Sequence, residues 1–233
     1  MSTLFLIPST LGAENVSLFL PAGTIEVVHS LKHFVVEDAK TARAFLKSCG
    51  IPTPQAELDI RVLDKHQPDK DMKALLQGLS DGNDVGVLSE AGCPGVADPG
   101  AKLVAEAYRM GHKVKPLTGP SSLLLALMAS GLEGQRFCFH GYLPIDKQER
   151  MKKIQRLEEA SRSRQETQLF IEAPYRNNQL LDDLLQHLSG ETKLCIAVDL
   201  TLSSEFIHTL RVREWKKQVP ELHKRPTVFL IGH

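Results

Sequence analysis

Short apolar or β-branched runs recur through the first half of the chain, over residues 4–7, 33–36, 58–62, 85–88 and 113–116, with more polar stretches between them. Runs of this length read as strands, and the intervening apolar periodicity reads as helix, here over 39–47 and 101–110. Beyond Gly131 a second series follows at 136–141, 168–172, 193–200, 206–212 and 227–232, with helices predicted over 147–162 and 177–188. Strands alternating with helices predict an α/β protein. The adjacent runs at 206–212 and 227–232 predict an antiparallel portion of the second sheet. The Gly119-Pro120 turn and the apolar helix after it mark the boundary, giving two α/β domains, 1–118 and 119–233, with a cleft between them.

Two loops stand out against this pattern. The run ending at Leu88 empties into Ser89-Glu90-Ala91-Gly92-Cys93-Pro94-Gly95-Val96-Ala97-Asp98-Pro99-Gly100. Glycines there admit a closely approaching ligand or a positive φ, while Pro94 and Pro99 stiffen the turns. The next run leads into Leu117-Thr118-Gly119-Pro120-Ser121-Ser122. Ligands of open α/β sheets gather beyond the carboxyl ends of the strands, so both loops are expected to face one crevice.

Charge changes this picture little. Lys+Arg and Asp+Glu each number 28, so the whole-chain balance does not call for nucleic acid or an anionic membrane. The second half leans basic through Lys147, Arg150, Lys152, Lys153, Arg156, Arg162 and Arg164, which read either as a solvated helix face or as an RNA-binding one. Cys49, Cys93, Cys138 and Cys195 form no C-x-x-C pair, and no signal-peptide pattern or apolar run of about 20 residues is present, so free thiols, a cytoplasmic setting and no membrane span are expected.

Several familiar chemistries lack their residues. There is no G-x-G-x-x-G, no Walker A sequence and no G-x-S-x-G elbow. His29 and His33 stand four apart without a further ligand at usable spacing, so no metal site is expected. Two carboxylates near strand ends remain as candidate proton acceptors: Asp38, which could equally cap the helix after it, and Glu172, which could equally pair with Arg176.

In their order and spacing these blocks resemble the tetrapyrrole methylase superfamily of S-adenosyl-L-methionine (SAM)-dependent methyltransferases, and within it the branch that methylates a ribose 2′-hydroxyl in 16S ribosomal RNA. That branch reads S-D-A-G-T-P-x-x-x-D-P-G where this chain has Ser89 to Gly100. Also matching are Glu37-Asp38 before a helix carrying Arg43, Gly119-Pro120-Ser121, Phe139-His140-Gly141-Tyr142-Leu143-Pro144 and Glu172-Ala173-Pro174-Tyr175-Arg176. The resemblance implies a homodimer of two-domain subunits with SAM in the cleft. It places the donor against Cys93, Pro94, Val96, Ser121, Ser122, Ile171, Pro226 and Thr227, with Glu172 and Asp38 as catalytic candidates.

The chain departs from the branch at E-D-T-R, where it has Glu37-Asp38-Ala39-Lys40, and at E-L-T-K, where it has Asp199-Leu200-Thr201-Leu202. It departs again at K-G-E, where it has His223-Lys224-Arg225-Pro226. An RNA acceptor, a small-molecule acceptor such as a tetrapyrrole, and a SAM-binding regulatory protein without catalysis all remain open on this reading.

Overall fold

Successive residues of a strand point to opposite faces, and over 4–7, 34–36 and 85–88 both sets are apolar, the pattern of parallel strands covered on both sides. The computed structural model describes residues 2–63 and 71–233 and divides the chain into two units, Met1–Ser121 and Ser122–His233. The first holds β1 (Thr3–Ile7), β2 (His33–Val36), β3 (Asp59–Val62), β4 (Val85–Leu88) and β5 (Lys113–Pro116), all parallel, in the order β3-β2-β4-β1-β5.

One face packs Ile7, Phe34, Val36 and Leu88 against Val28 of α1 (Ala22–Ser30) and against Ala42 and Leu46 of α2 (Ala39–Ser48). The other packs Leu4, Val35, Val85 and Val87 against the short turns α3 (Met72–Leu75) and α4 (Gln77–Ser80) and against Leu103 and Ala107 of α5 (Gly100–Arg109). Gly86 lies between Ile7 and Phe34, where a Cβ would come within 2.6 Å of Ile7 Cδ1 and 2.9 Å of Phe34 Cδ1. The two large side chains therefore occupy the space that the glycine leaves.

The second unit carries a mixed sheet of β6 (Phe137–Tyr142), β7 (Thr167–Ile171), β8 (Lys193–Val198), β9 (Phe206–Arg211) and β10 (Thr227–Gly232), in the order β6-β7-β10-β8-β9. Only β6 and β7 run parallel. One face is covered by α7 (Lys147–Arg164), α8 (Asn177–His187) and the turn α9 (Val212–Trp215), which enclose Phe170, Ile196 and Phe229. The buried Trp215 satisfies its ring N–H on Leu194 O at 2.8 Å. The remaining helix, α6 (Ser122–Ser130), packs on β8, β9 and β10.

The α/β class and the position of every predicted strand hold, but two sequence expectations are corrected. The antiparallel portion exists, yet β9 and β10 do not pair with each other; each pairs with β8. The fully apolar stretch Leu194–Val198 is buried throughout and takes the interior position, which leaves half-exposed β9 at the edge. Arg150, read from sequence with the solvated basic residues, is 4% exposed. Its guanidinium holds Asp183 of α8 at 2.7 Å and donates to Pro144 O and Ile145 O, fixing α7 to α8 and to the chain that enters it. Among the described residues, no helix is long and apolar enough to cross a membrane.

Candidate functional site

In the N-terminal unit the five strands end on one side, and the segments leaving β1, β4 and β5 are tied to each other there. Ser9 and Gly92 exchange backbone hydrogen bonds, N to O at 3.0 and 3.3 Å. Ser9 Oγ donates to Ser89 O at 2.9 Å, and Ser89 Oγ donates to Gly92 O at 2.8 Å. Gly92 adopts φ 74°, with Leu11 and Pro120 O close to where a Cβ would stand, so this tight passage needs glycine. Cys93 Sγ reaches Pro120 O at 3.5 Å, which brings the two sequence-predicted loops into contact.

Downstream, Asp98 Oδ1 accepts from Gly95 N at 2.6 Å and Gly100 N at 2.7 Å, closing the loop onto the start of α5. Pro94 is buried within it, whereas Val96 is 48% exposed, an apolar side chain held outward by a stiff loop. Burial, reinforced by the Asp98 charge, pushes the Cys93 thiol up from its ordinary pKa, so it stays protonated and is no nucleophile at neutral pH. Ser121 is half-buried where the second loop ends, and Ser122 opens α6 in the other unit.

Beside these loops the unit contains a recess of about 460 Å³ at the ends of β1, β2 and β4, walled by α2 and by the segments leaving β1 and β4. Glu90 and Thr41 are on its rim, joined by a 2.8 Å bond from the threonine hydroxyl to Glu90 Oε1. Sequence reading missed this recess as a site, because its walls come from segments some 30 to 50 residues apart and no motif links them.

Asp38 lies close by, and its role is legible: Oδ1 accepts from Lys40 N and Thr41 N, both at 2.9 Å, at the start of α2. Those bonds, the one from Thr41 N foremost, hold its carboxyl below the usual carboxylate range. A base is most effective with a pKa near the working pH, so this geometry suits a cap better than a proton acceptor.

The C-terminal unit gathers the other predicted residues at one end of its own sheet. Ile171 ends β7 opposite Val228, and Pro226 O accepts from Asp199 N at 2.9 Å just before Thr227 begins β10. Glu172 is 6% exposed, and its Oε1 accepts from Ala173 N at 2.6 Å and from Arg176 at 3.1 and 2.5 Å. It anchors the turn Pro174–Arg176 that leads into α8.

Sequence reading also missed a second ion pair here, Asp199 to Arg225 at 2.8 Å, with Ser204 Oγ donating to the same carboxylate oxygen. Around it Asp199, Thr201 and Lys224 take φ values of 50°, 73° and 60°. A left-handed conformation is unusual for a β-branched residue, and such strain is concentrated at working sites. The departures at 199–202 and 223–226 seen in sequence therefore fall in one place.

The histidines considered for a metal separate: His29 Nε2 sits 2.7 Å from Cys49 O, and His33 Nδ1 3.1 Å from Asp59 Oδ2. All four cysteines are free. Among the described residues no group of three His, Cys, Asp or Glu is placed to hold a metal ion.

With this geometry in hand, comparison with known proteins gives three findings. A family model described as "Tetrapyrrole (Corrin/Porphyrin) Methylases" matches residues 20–215. The chain is 31% identical over 231 residues to the ribosomal RNA small subunit methyltransferase I of Vibrio cholerae, covering 98% of this chain and 76% of that one. It is likewise 31% identical to the enzyme of the same name from Pseudomonas aeruginosa, covering 91% and 71%. In fold it is similar to the methyltransferase CobJ, with a TM-score of 0.66 at 19% identity over 100% of this chain and 93% of that one.

Proposed function

The chain belongs to the tetrapyrrole methylase family and is a methyltransferase, and from that premise we propose that it moves a methyl group from SAM to a ribose 2′-hydroxyl of small-subunit ribosomal RNA. The observation that carries this reading is the contact of the two Gly- and Pro-rich loops at the strand ends through Cys93 and Pro120, with the Ser9–Gly92 pair tying the first of them to the segment leaving β1. The acceptor comes from the relatives, whose names specify small-subunit ribosomal RNA over almost the full length of this chain.

The residues present fit a donor of this kind. Gly92 and Gly95, both at positive φ, leave no side chain between loop backbone and ligand, and the exposed Val96 offers an apolar contact beside them. In this reading the residues that contact SAM are Cys93, Pro94, Val96, Ser121, Ser122, Ile171, Pro226 and Thr227. When bound, SAM supplies a methyl carbon whose bond to sulfur breaks as a bond to the ribose oxygen forms, the hydroxyl proton passing to water.

For a displacement of this type, alignment and exclusion of bulk water supply much of the rate. The loops serve the alignment by being stiff. Asp38 and Glu172 are positioning residues on this reading: one fixes the start of α2, the other the turn into α8, and each spends its hydrogen bonds inside its own unit.

The enzyme works as a homodimer in the cytoplasm on the same reading. Support for the dimer is an apolar surface on the C-terminal unit, with Leu124 51% and Met128 79% exposed on α6 and Phe137 and Tyr142 exposed on the edge strand β6. Exposed apolar surface and an unpaired edge both favour a partner. The test of function is transfer of radiolabelled methyl groups from SAM into fractionated cell extract. Label in small-subunit ribosomal RNA, removed by ribonuclease, is the expected result; label confined to a ribonuclease-resistant small molecule overturns the RNA assignment.

A further inference from the structure

The recess beside the donor loops has no part in the function argued so far. Its floor is apolar, with Val36 at the end of β2 and the ring of Phe45 from α2. Its rim is polar: Thr10 and Thr41 contribute hydroxyls and Glu90 a carboxylate, and among the described residues that line it there is no lysine or arginine. Glu90 is pinned from two sides, by the Thr41 hydroxyl on Oε1 and by its own N–H on Glu37 Oε1 at 3.3 Å.

This chemistry selects a class of ligand. A phosphate or a polycarboxylate would meet fixed negative charge with no counter-charge, which costs binding energy in a partly enclosed site. An uncharged, flat, hydroxyl- or amino-bearing group would instead gain an apolar floor, an aromatic ring and a carboxylate that accepts hydrogen bonds. An unpaired nucleoside is such a group: enzymes that act on one nucleotide take it out of the stack and read it by stacking and by hydrogen bonds to its edges. The volume of about 460 Å³ is that of a small-molecule site.

Placement agrees with chemistry. Glu90 opens the same loop that carries Cys93 and Val96, and the Ser9–Gly92 and Ser9–Ser89 bonds make the wall of the recess and the donor loop one rigid piece. The geometry points to this recess as the seat of the acceptor nucleoside, with Glu90, oriented by Thr41, as the residue that selects it while the phosphates stay outside. The inference rests on the RNA methyltransferase reading and adds to it the part of the RNA that enters the protein.

Ala44 lies on the exposed side of α2 and lines the recess, so Ala44→Trp fills it without disturbing the core. The four free ribonucleosides serve as probes, their resonances observed by NMR with the full-length protein, with and without SAM. At least one should broaden with the wild type and recover in Ala44→Trp, while SAM affinity by calorimetry stays within about twofold because the donor loops are untouched.

Glu90→Gln keeps size and removes charge; it should raise the KM for RNA about tenfold with kcat little changed, the signature of lost acceptor binding. Broadening that is equal in Ala44→Trp and wild type, absent from both, or an unchanged KM in Glu90→Gln overturns the inference. Failure of the underlying reading looks different: SAM does not bind, or label does not enter RNA, whatever the nucleosides do.

Discussion

At the scale of single residues, the donor loops make the sharpest demand. Ser121 is half-buried at the end of a segment whose path is fixed by Gly119, where a Cβ would meet Pro8 at 2.4 Å. With the backbone unable to retreat, a bulky side chain at 121 must project into the space the loops leave for a ligand. Ser121→Phe should therefore lower SAM affinity at least about tenfold, read by calorimetry, with the thermal melt unchanged. His140 offers a second test. Its Nε2 meets Gln168 Oε1 at 2.6 Å, Lys153 Nζ lies 3.3 Å from its Nδ1, and burial, aided by the Lys153 charge, lowers its pKa. A lowered histidine pKa means stability that is present above the ordinary value near 6.5 and is lost as pH falls through it toward the folded value. Lys153→Met should move the His140 titration, followed by NMR, upward and reduce that acid-side loss.

At the scale of elements, Gly86 tests whether the N-terminal sheet is as tightly filled as its geometry implies. Gly86→Ala pushes a methyl group into Ile7 and Phe34, both fully buried, so the sheet must spread or the side chains must leave their rotamers. Overpacking of this kind costs about 1–3 kcal/mol, which a denaturant titration should show as a lower midpoint with an unchanged slope. The strands themselves were legible because their chemistry is local: Val85–Leu88 and Leu194–Val198 are apolar on both faces, and a short run of that kind bounded by turn residues has few other readings. Pairing was not legible, since nothing in residues 206–212 says that β8 rather than β10 lies alongside. The same limit hid the site's walls. Thr41 and Glu90 meet across 49 residues, and Arg150 was indistinguishable from its solvated neighbours until Asp183, 33 residues on, faced it. The two loops were legible because glycine and proline act on the backbone where they stand.

At the scale of the whole molecule, a chain of zero formal net charge has to concentrate its positive charge locally if it is to hold the RNA proposed as its acceptor. Helix α7 is where that occurs in the C-terminal unit, but the structure narrows the set of residues. Arg150 is buried against Asp183, Lys153 is half-buried on His140, and Arg162 and Arg164 face Glu159 and Glu166. Lys147, Lys152 and Arg156 remain exposed, with no ion-pair partner among the described residues. Each such cation that neutralises a phosphate releases a bound counterion, so RNA affinity should fall as salt rises. Reversing all three to glutamate should weaken binding of a small-subunit RNA fragment. It should also flatten the plot of log affinity against log salt by about 2, the value for three lost contacts to a single strand. SAM affinity should not move, because no donor-loop residue is altered. If the slope is unchanged while binding persists, α7 is an ordinary solvated helix and the phosphates are held elsewhere. If the slope flattens as expected, the basic face of α7 and the acidic-rimmed recess that Glu90 lines divide the work, one holding the RNA backbone and the other reading the nucleoside.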